Sequence, residues 1–247
     1  MFTVAERDAV RTRLLELAEQ DPDVTAAAIT GSHATGTSDE RSDVDLAFAI
    51  AGELVPVIER WTEVLHRDFG ALHHWDLPFA SSIYRVFLLP GCLEVDIAFT
   101  PAADFGPRGP SWRTVFGDAV ELARGEPEQA GFLVGLAWHH VLHARTCIER
   151  RQPWQAEHWI SAVRDHVIAL ACLRLGHPTK YAKGAHLLPR ELTDPLEQTL
   201  ARSLDEPELR RALAAAARAL EAELEATDAE LGARLRSTLA EATAFGG

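Results

Sequence analysis

The sequence predicts an α+β fold, a small mixed β-sheet with flanking helices followed by an all-α helical bundle. Three observations carry this expectation. Short apolar runs bounded by turn residues, the mark of strands, occur only before residue 105. A Pro- and Gly-rich segment, Phe105-Gly106-Pro107-Arg108-Gly109-Pro110, has little helix or strand potential. Beyond it no convincing strand is seen from about residue 111 onward, and helical periodicity runs to the end.

The elements follow in order. Val10, Leu14, Leu15, Leu17 and Ala18 recur at helical spacing within 4–20, and Asp21-Pro22-Asp23 stops that helix. The apolar run at 24–29 makes a first core strand, about 24–30, that ends at Gly31-Ser32. A second strand spans about 43–50, and 54–69 reads as a helix. Tyr84-Arg85-Val86-Phe87-Leu88-Leu89 is strand-like, Pro90-Gly91 turns the chain, and 92–99 forms the next strand. After the linker, 127–151 and 154–176 are long helical patterns, a further helix precedes Leu204, and 206–245 reads as packed amphipathic helix. The expected partition is a domain at 1–106 and a helical domain at 111–247.

The formal net charge of −13 argues against a protein that draws its affinity from nucleic-acid phosphates, and it permits a cationic small-molecule substrate. Cys92, Cys147 and Cys172 are odd in number and widely spaced, which gives neither a disulfide framework nor a zinc pattern. The N-terminus lacks the basic start and apolar core of a signal peptide, and no apolar stretch approaches a membrane span. A cytoplasmic, reducing setting is expected.

The segment richest in chemistry is Gly31-Ser32-His33-Ala34-Thr35-Gly36, followed by Asp43-Val44-Asp45. A strand ending in a small-residue turn exposes backbone N–H groups suited to phosphate oxygens. Carboxylates at i and i+2 on a strand share a face, and side by side they repel unless a cation lies between them. In Cys92-Leu93-Glu94-Val95-Asp96-Ile97-Ala98-Phe99, the residues Leu93, Val95, Ile97 and Phe99 alternate onto one face, so Glu94 and Asp96 share the other.

Gly-Ser, a short spacer, Asp-x-Asp and a third carboxylate on a later strand together resemble the nucleotidyltransferase superfamily that includes DNA polymerase β. The resemblance is specific over roughly 24–100. The two-part layout is similar to the antibiotic-modifying branch, the aminoglycoside and lincosamide nucleotidyltransferases. The resemblance implies Mg²⁺ and a nucleoside triphosphate, with ATP the family expectation. Gly31 and Ser32 would then take phosphates, and Asp43, Asp45 and Asp96 would be metal ligands and catalytic residues. It further implies transfer of a nucleoside monophosphate to the hydroxyl of a small acceptor, with release of pyrophosphate. A protein-adenylylating, antitoxin-like enzyme and a non-catalytic nucleotide-binding protein are the rival readings. No Gly-x-x-x-x-Gly-Lys-Ser/Thr loop is present to suggest an ATPase.

In the helical half, Lys180 and Lys183 are the chain's two lysines and flank Tyr181 in a Gly- and Pro-containing turn, which suits contact with a triphosphate and a base. Glu157 and Arg164 lie two turns apart on one face, where Glu157 or Asp165 would act on the acceptor, while Trp154 and Trp159 read as core. His139 and His143 have i, i+4 spacing without a further ligand suggested by spacing. His33 lies inside the Gly-Ser loop, within reach of a phosphate or free.

Overall fold

The computed structural model describes residues 1–123 and 129–245. The start of the helix expected at 127–151 and the last two residues of the expected second domain lie outside them. The chain divides into two compact units, Met1–Gly125 and Glu126–Gly247.

The first unit is built on a mixed six-stranded sheet in the order β3-β4-β5-β2-β1-β6. Its strands are β1 (Val24–Thr30), β2 (Val44–Ile50), β3 (His73–Phe79), β4 (Ser82–Leu89), β5 (Leu93–Pro101) and β6 (Trp112–Phe116). Only β2 and β5 run parallel, and every other pairing is antiparallel. The helices are α1 (Val4–Gln20), α2 (Gly31–Thr35) and α3 (Leu54–Asp68). Thr3 and Glu6 form a reciprocal capping box at the start of α1, satisfying two otherwise orphaned donors.

The alternation along β2 and β5 gives the sheet two unlike faces. Leu46, Phe48, Ile50, Val95, Ile97 and Phe99 pack with Leu14 of α1 and with Val57, Ile58, Trp61 and Leu65 of α3. Arg85 of β4 lies on this side at 7 % exposure. It donates to both Asp76 carboxylate oxygens (2.7 and 2.8 Å), to Thr62 (2.6 Å) and to Glu59 (3.0 Å), so its charge is fully partnered despite burial. The opposite face is made of small residues, Ala26, Ala28, Ala47, Ala49 and Ala98, with Phe105 packed on them.

Two strands were not expected from the sequence. β3 carries Pro78 and Asp76, which weaken any strand signal, and the structure accommodates the proline by placing β3 at the sheet edge. β6 follows the 105–110 segment and pairs with β1, so that segment lies within the first unit rather than between the units. The expectation of no strand after 111 is corrected accordingly. Trp112, Thr114, Val115 and Phe116 are good strand formers, but five residues are too few to establish a period.

The second unit comprises α4 (Ala130–Glu149), α5 (Pro153–Leu175), α6 (Arg190–Glu197), α7 (Glu206–Thr227) and α8 (Ala229–Thr243). The single helix expected over 206–245 breaks at Asp228, whose carboxylate caps α8 by accepting from the Leu231 N–H at 3.0 Å. Leu133, Val141, Ile160, Leu170, Leu213 and Leu220 are among its core. Arg174 forks onto both oxygens of Glu223, which is 3 % exposed, at 2.8 Å each. Trp159 packs partly buried against this core, whereas Trp154, expected in it, is 76 % exposed at the first turn of α5.

Candidate active site

β1 runs into α2 through Gly31, which has φ +61, a left-handed conformation that glycine adopts without strain. A Cβ at this position would lie 1.9 Å from Oδ2 of Asp45. Glycine is therefore required twice, by the backbone and by the carboxylate packed against it, and the two halves of the motif are in direct contact. Gly36, also left-handed, ends α2 after five residues. The Ser32 hydroxyl is buried and has no hydrogen-bond partner among the described residues.

The parallel pairing of β2 with β5 places Asp45 directly opposite Asp96. By strand alternation both belong to the alanine face, away from the apolar layer under α1 and α3. Burial raises the Asp96 carboxyl, and the negative charges of Asp45, Glu94 and Asp43 raise it further, to about 7. Its Oδ1 is buried and without a partner among the described residues. Glu94 is exposed. Tyr84 on β4 is raised by burial and then by the Asp96 charge.

The donor set can be tested against a divalent cation. Among the described residues no three carboxylate, imidazole or thiolate groups are gathered to hold an ion. What the strands assemble is an adjacent pair of carboxylates, with Asp43 at the entry to β2 close enough to raise Asp96. Mg²⁺ is commonly held by one or two carboxylates together with phosphate oxygens and water. Hard oxygen donors, mutual repulsion and an orphaned Asp96 oxygen fit an ion that arrives with a polyphosphate.

Two residues that support the site were missed by the sequence reading. Arg7 of α1 is 3 % exposed and donates to the carbonyls of Asp39 (2.5 Å) and Ser42 (3.2 Å), fixing the loop that delivers Asp43. Arg11, one turn on, donates to Nδ1 of His33 at 2.9 Å, which requires a neutral imidazole. Burial, then Arg11 and Arg7, lower the His33 pKa in agreement. Positions 7, 11, 14 and 18 share one helical face, so two arginines in line with Leu14 and Ala18 were the available signal.

The remaining expected residues belong to the second unit. Glu157 accepts from Ser161 at 2.6 Å, and Arg164 donates to the same hydroxyl at 2.8 Å, so the pair is bridged along α5. Lys180, Tyr181 and Lys183 are exposed in the turn after α5, where Tyr181 has φ +56. His139 and His143 meet edge to face with ring centroids 4.3 Å apart, His143 lies beside Trp159, and the neighbouring His140 meets His166 at 3.2 Å.

No protein-family model matches the chain, and no curated protein matches it. Among solved structures, the chain is similar to one described as an aminoglycoside 6-adenyltransferase from Bacillus subtilis. The two are 10 % identical, with 97 % of this chain and 99 % of that chain covered and a TM-score of 0.43.

Proposed function

We propose that the protein is an Mg²⁺-dependent nucleotidyltransferase that moves a nucleoside monophosphate, with AMP the first candidate, from a triphosphate to a hydroxyl of a small acceptor. The observation that carries this reading is the direct opposition of Asp45 and Asp96 beside Gly31 and Ser32. Asp45 and Asp96, with Asp43 beside them at the entry to β2, would hold the cation together with phosphate oxygens and water, and the bound cation would neutralise phosphate charge and acidify the attacking hydroxyl.

The chain's own groups supply the rest. Ser32 and the N–H groups of its turn hold phosphate oxygens, which gives the orphaned Ser32 hydroxyl a partner. Asp96, whose Oδ1 has no partner among the described residues, is the group to take the hydroxyl proton. The acceptor oxygen forms a bond to the α-phosphorus, the bond from that phosphorus to the bridging oxygen breaks, and its electron pair leaves with pyrophosphate. An aminoglycoside or lincosamide is the acceptor class, from the two-part resemblance of the sequence. A cytoplasmic setting, where triphosphates are abundant, accompanies this reading.

The test uses triphosphates labelled at the α- or γ-phosphorus with a panel of aminoglycosides and lincosamides. The α-label should appear on an acceptor with one pyrophosphate released per transfer, and Asp96→Asn should abolish it. Transfer of the γ-label would replace the reading with a kinase, and no transfer to any acceptor despite nucleotide binding would favour a sensor.

A further inference from the structure

The alanine face continues from the carboxylate pair into a cavity of about 200 Å³. Ala47 and Ala98, the next residues after Asp45 and Asp96 on that face, form its floor, and Thr30, the residue before Gly31, lines the end nearest the phosphate turn. Tyr84, Phe105 and Trp112 supply rings, with Phe105 and Trp112 tilted at 61° and their centroids 4.9 Å apart. The hydroxyls of Ser82 and Thr100, bonded to each other at 2.8 Å, are the polar groups at the far end.

We infer that this cavity is the seat of the nucleobase of the triphosphate; the inference rests on the nucleotidyl-transfer reading and names where the base of that substrate lies. The sheet sets the directions. In-line displacement puts the leaving pyrophosphate, the α-phosphorus and the attacking oxygen on one axis. With phosphates at the end of β1 and the reacting phosphorus between Asp45 and Asp96, that axis crosses the strands toward β4 and β3. The acceptor then lies on the β4 side. The nucleoside leaves the phosphorus across that axis, and along the strands the face is concave beyond Ala47 and Ala98.

Size and chemistry agree. Pockets for drug-sized ligands run from roughly 300 to 1,000 Å³, so about 200 Å³ takes one flat ring system rather than a chain of aminosugars. Alanine at 47 and 98, where strands usually carry β-branched residues, is what keeps the space open. Arg108, over the Phe79 ring at 5.7 Å, and Asp104 are both at the lining, so size rather than charge selects the occupant.

The test measures equilibrium binding of the four nucleoside triphosphates and of inorganic tripolyphosphate, each with Mg²⁺, to the full chain. The variants are Tyr84→Leu, Trp112→Leu and the cavity-filling Ala98→Leu, retained only if their circular dichroism matches wild type. Wild type should bind at least one triphosphate more tightly than tripolyphosphate. Since stacking on one ring contributes roughly 1–3 kcal/mol per base, each ring variant should lose about tenfold of that preference. Tripolyphosphate binding should stay within about twofold, because only the base contact is removed. Ring variants that keep the full preference, or a wild type that binds tripolyphosphate as tightly as any nucleotide, overturn the seat while the transfer reading stands. A wild type that binds neither removes the transfer reading, and the seat with it.

Discussion

Replacing Gly31 with alanine perturbs the point where the phosphate turn meets the carboxylate strand. Two costs are separable. At φ +61 an alanine pays a left-handed penalty of about 1–2 kcal/mol. Its Cβ would also lie 1.9 Å from Oδ2 and 2.7 Å from Cγ of Asp45, so the carboxylate must move, an overpacking cost of about 1–3 kcal/mol. The sum is about 2–5 kcal/mol. In an Asp45→Ala background both offending atoms are gone and the nearest remaining atom, Cβ of residue 45, is 3.2 Å away. There Gly31→Ala should cost only the backbone part, leaving a coupling of about 1–3 kcal/mol in the double-mutant cycle. Urea unfolding of the four proteins in EDTA reads this directly. Equal costs in the two backgrounds would refute the claim that Gly31 is reserved for the Asp45 carboxylate.

Three further outcomes follow from the charges. Asp96 is raised from an ordinary 3.8 to about 7, so its contribution to stability is fully present below pH 3.8 and is lost as pH rises to about 7. About three pKa units at 1.36 kcal/mol each makes roughly 4 kcal/mol, an upper figure because some solvent reaches the group. In EDTA, Asp96→Asn should therefore be more stable than wild type at pH 8 and lose that advantage by pH 4; parallel stability–pH curves would contradict it. His140 is lowered from 6.5 to about 4 by burial and then by His166, His139, His143 and His158, so its folded form resists protonation. Melting of the helical unit should fall as pH drops from 6.5 toward 4, and His140→Gln should flatten that slope; an unchanged slope would rule out the cluster as its cause. Arg174→Ala leaves the buried Glu223 carboxylate unpaired and should cost about 3–5 kcal/mol. Adding Glu223→Gln should recover part of that loss in chemical denaturation, and no recovery would mean that packing rather than charge was lost.

The α+β order, the helical second half and the strands that carry Asp45 and Asp96 were legible because each follows a local period, alternation along β2 and β5 and helical spacing afterwards. The edge strands were not. Pro78 and Asp76 are permitted in β3 because one side of it has no neighbour, a fact of topology and not of local sequence. β6 forms because β1 offers it an open edge, so five residues suffice. The Gly-Ser and Asp-x-Asp motifs were visible as spacing, but the contact between Gly31 and Asp45 required the antiparallel pairing of β1 with β2. Arg7 was illegible as a support for Asp43, because the carbonyls it holds at 39 and 42 are more than thirty residues away.

The most direct measurement is thermal unfolding of wild type and Asp45→Asn with each of the four nucleoside triphosphates, with and without Mg²⁺. At a hundred times the dissociation constant a ligand adds about 2.7 kcal/mol of stability, so wild type should shift upward with at least one nucleotide, only when Mg²⁺ is present. Asp45→Asn should be at least as stable without ligand and show no such shift. A wild-type shift that is independent of Mg²⁺, or that survives intact in Asp45→Asn, would contradict the assignment of the carboxylate pair as the site where the nucleotide and its metal bind.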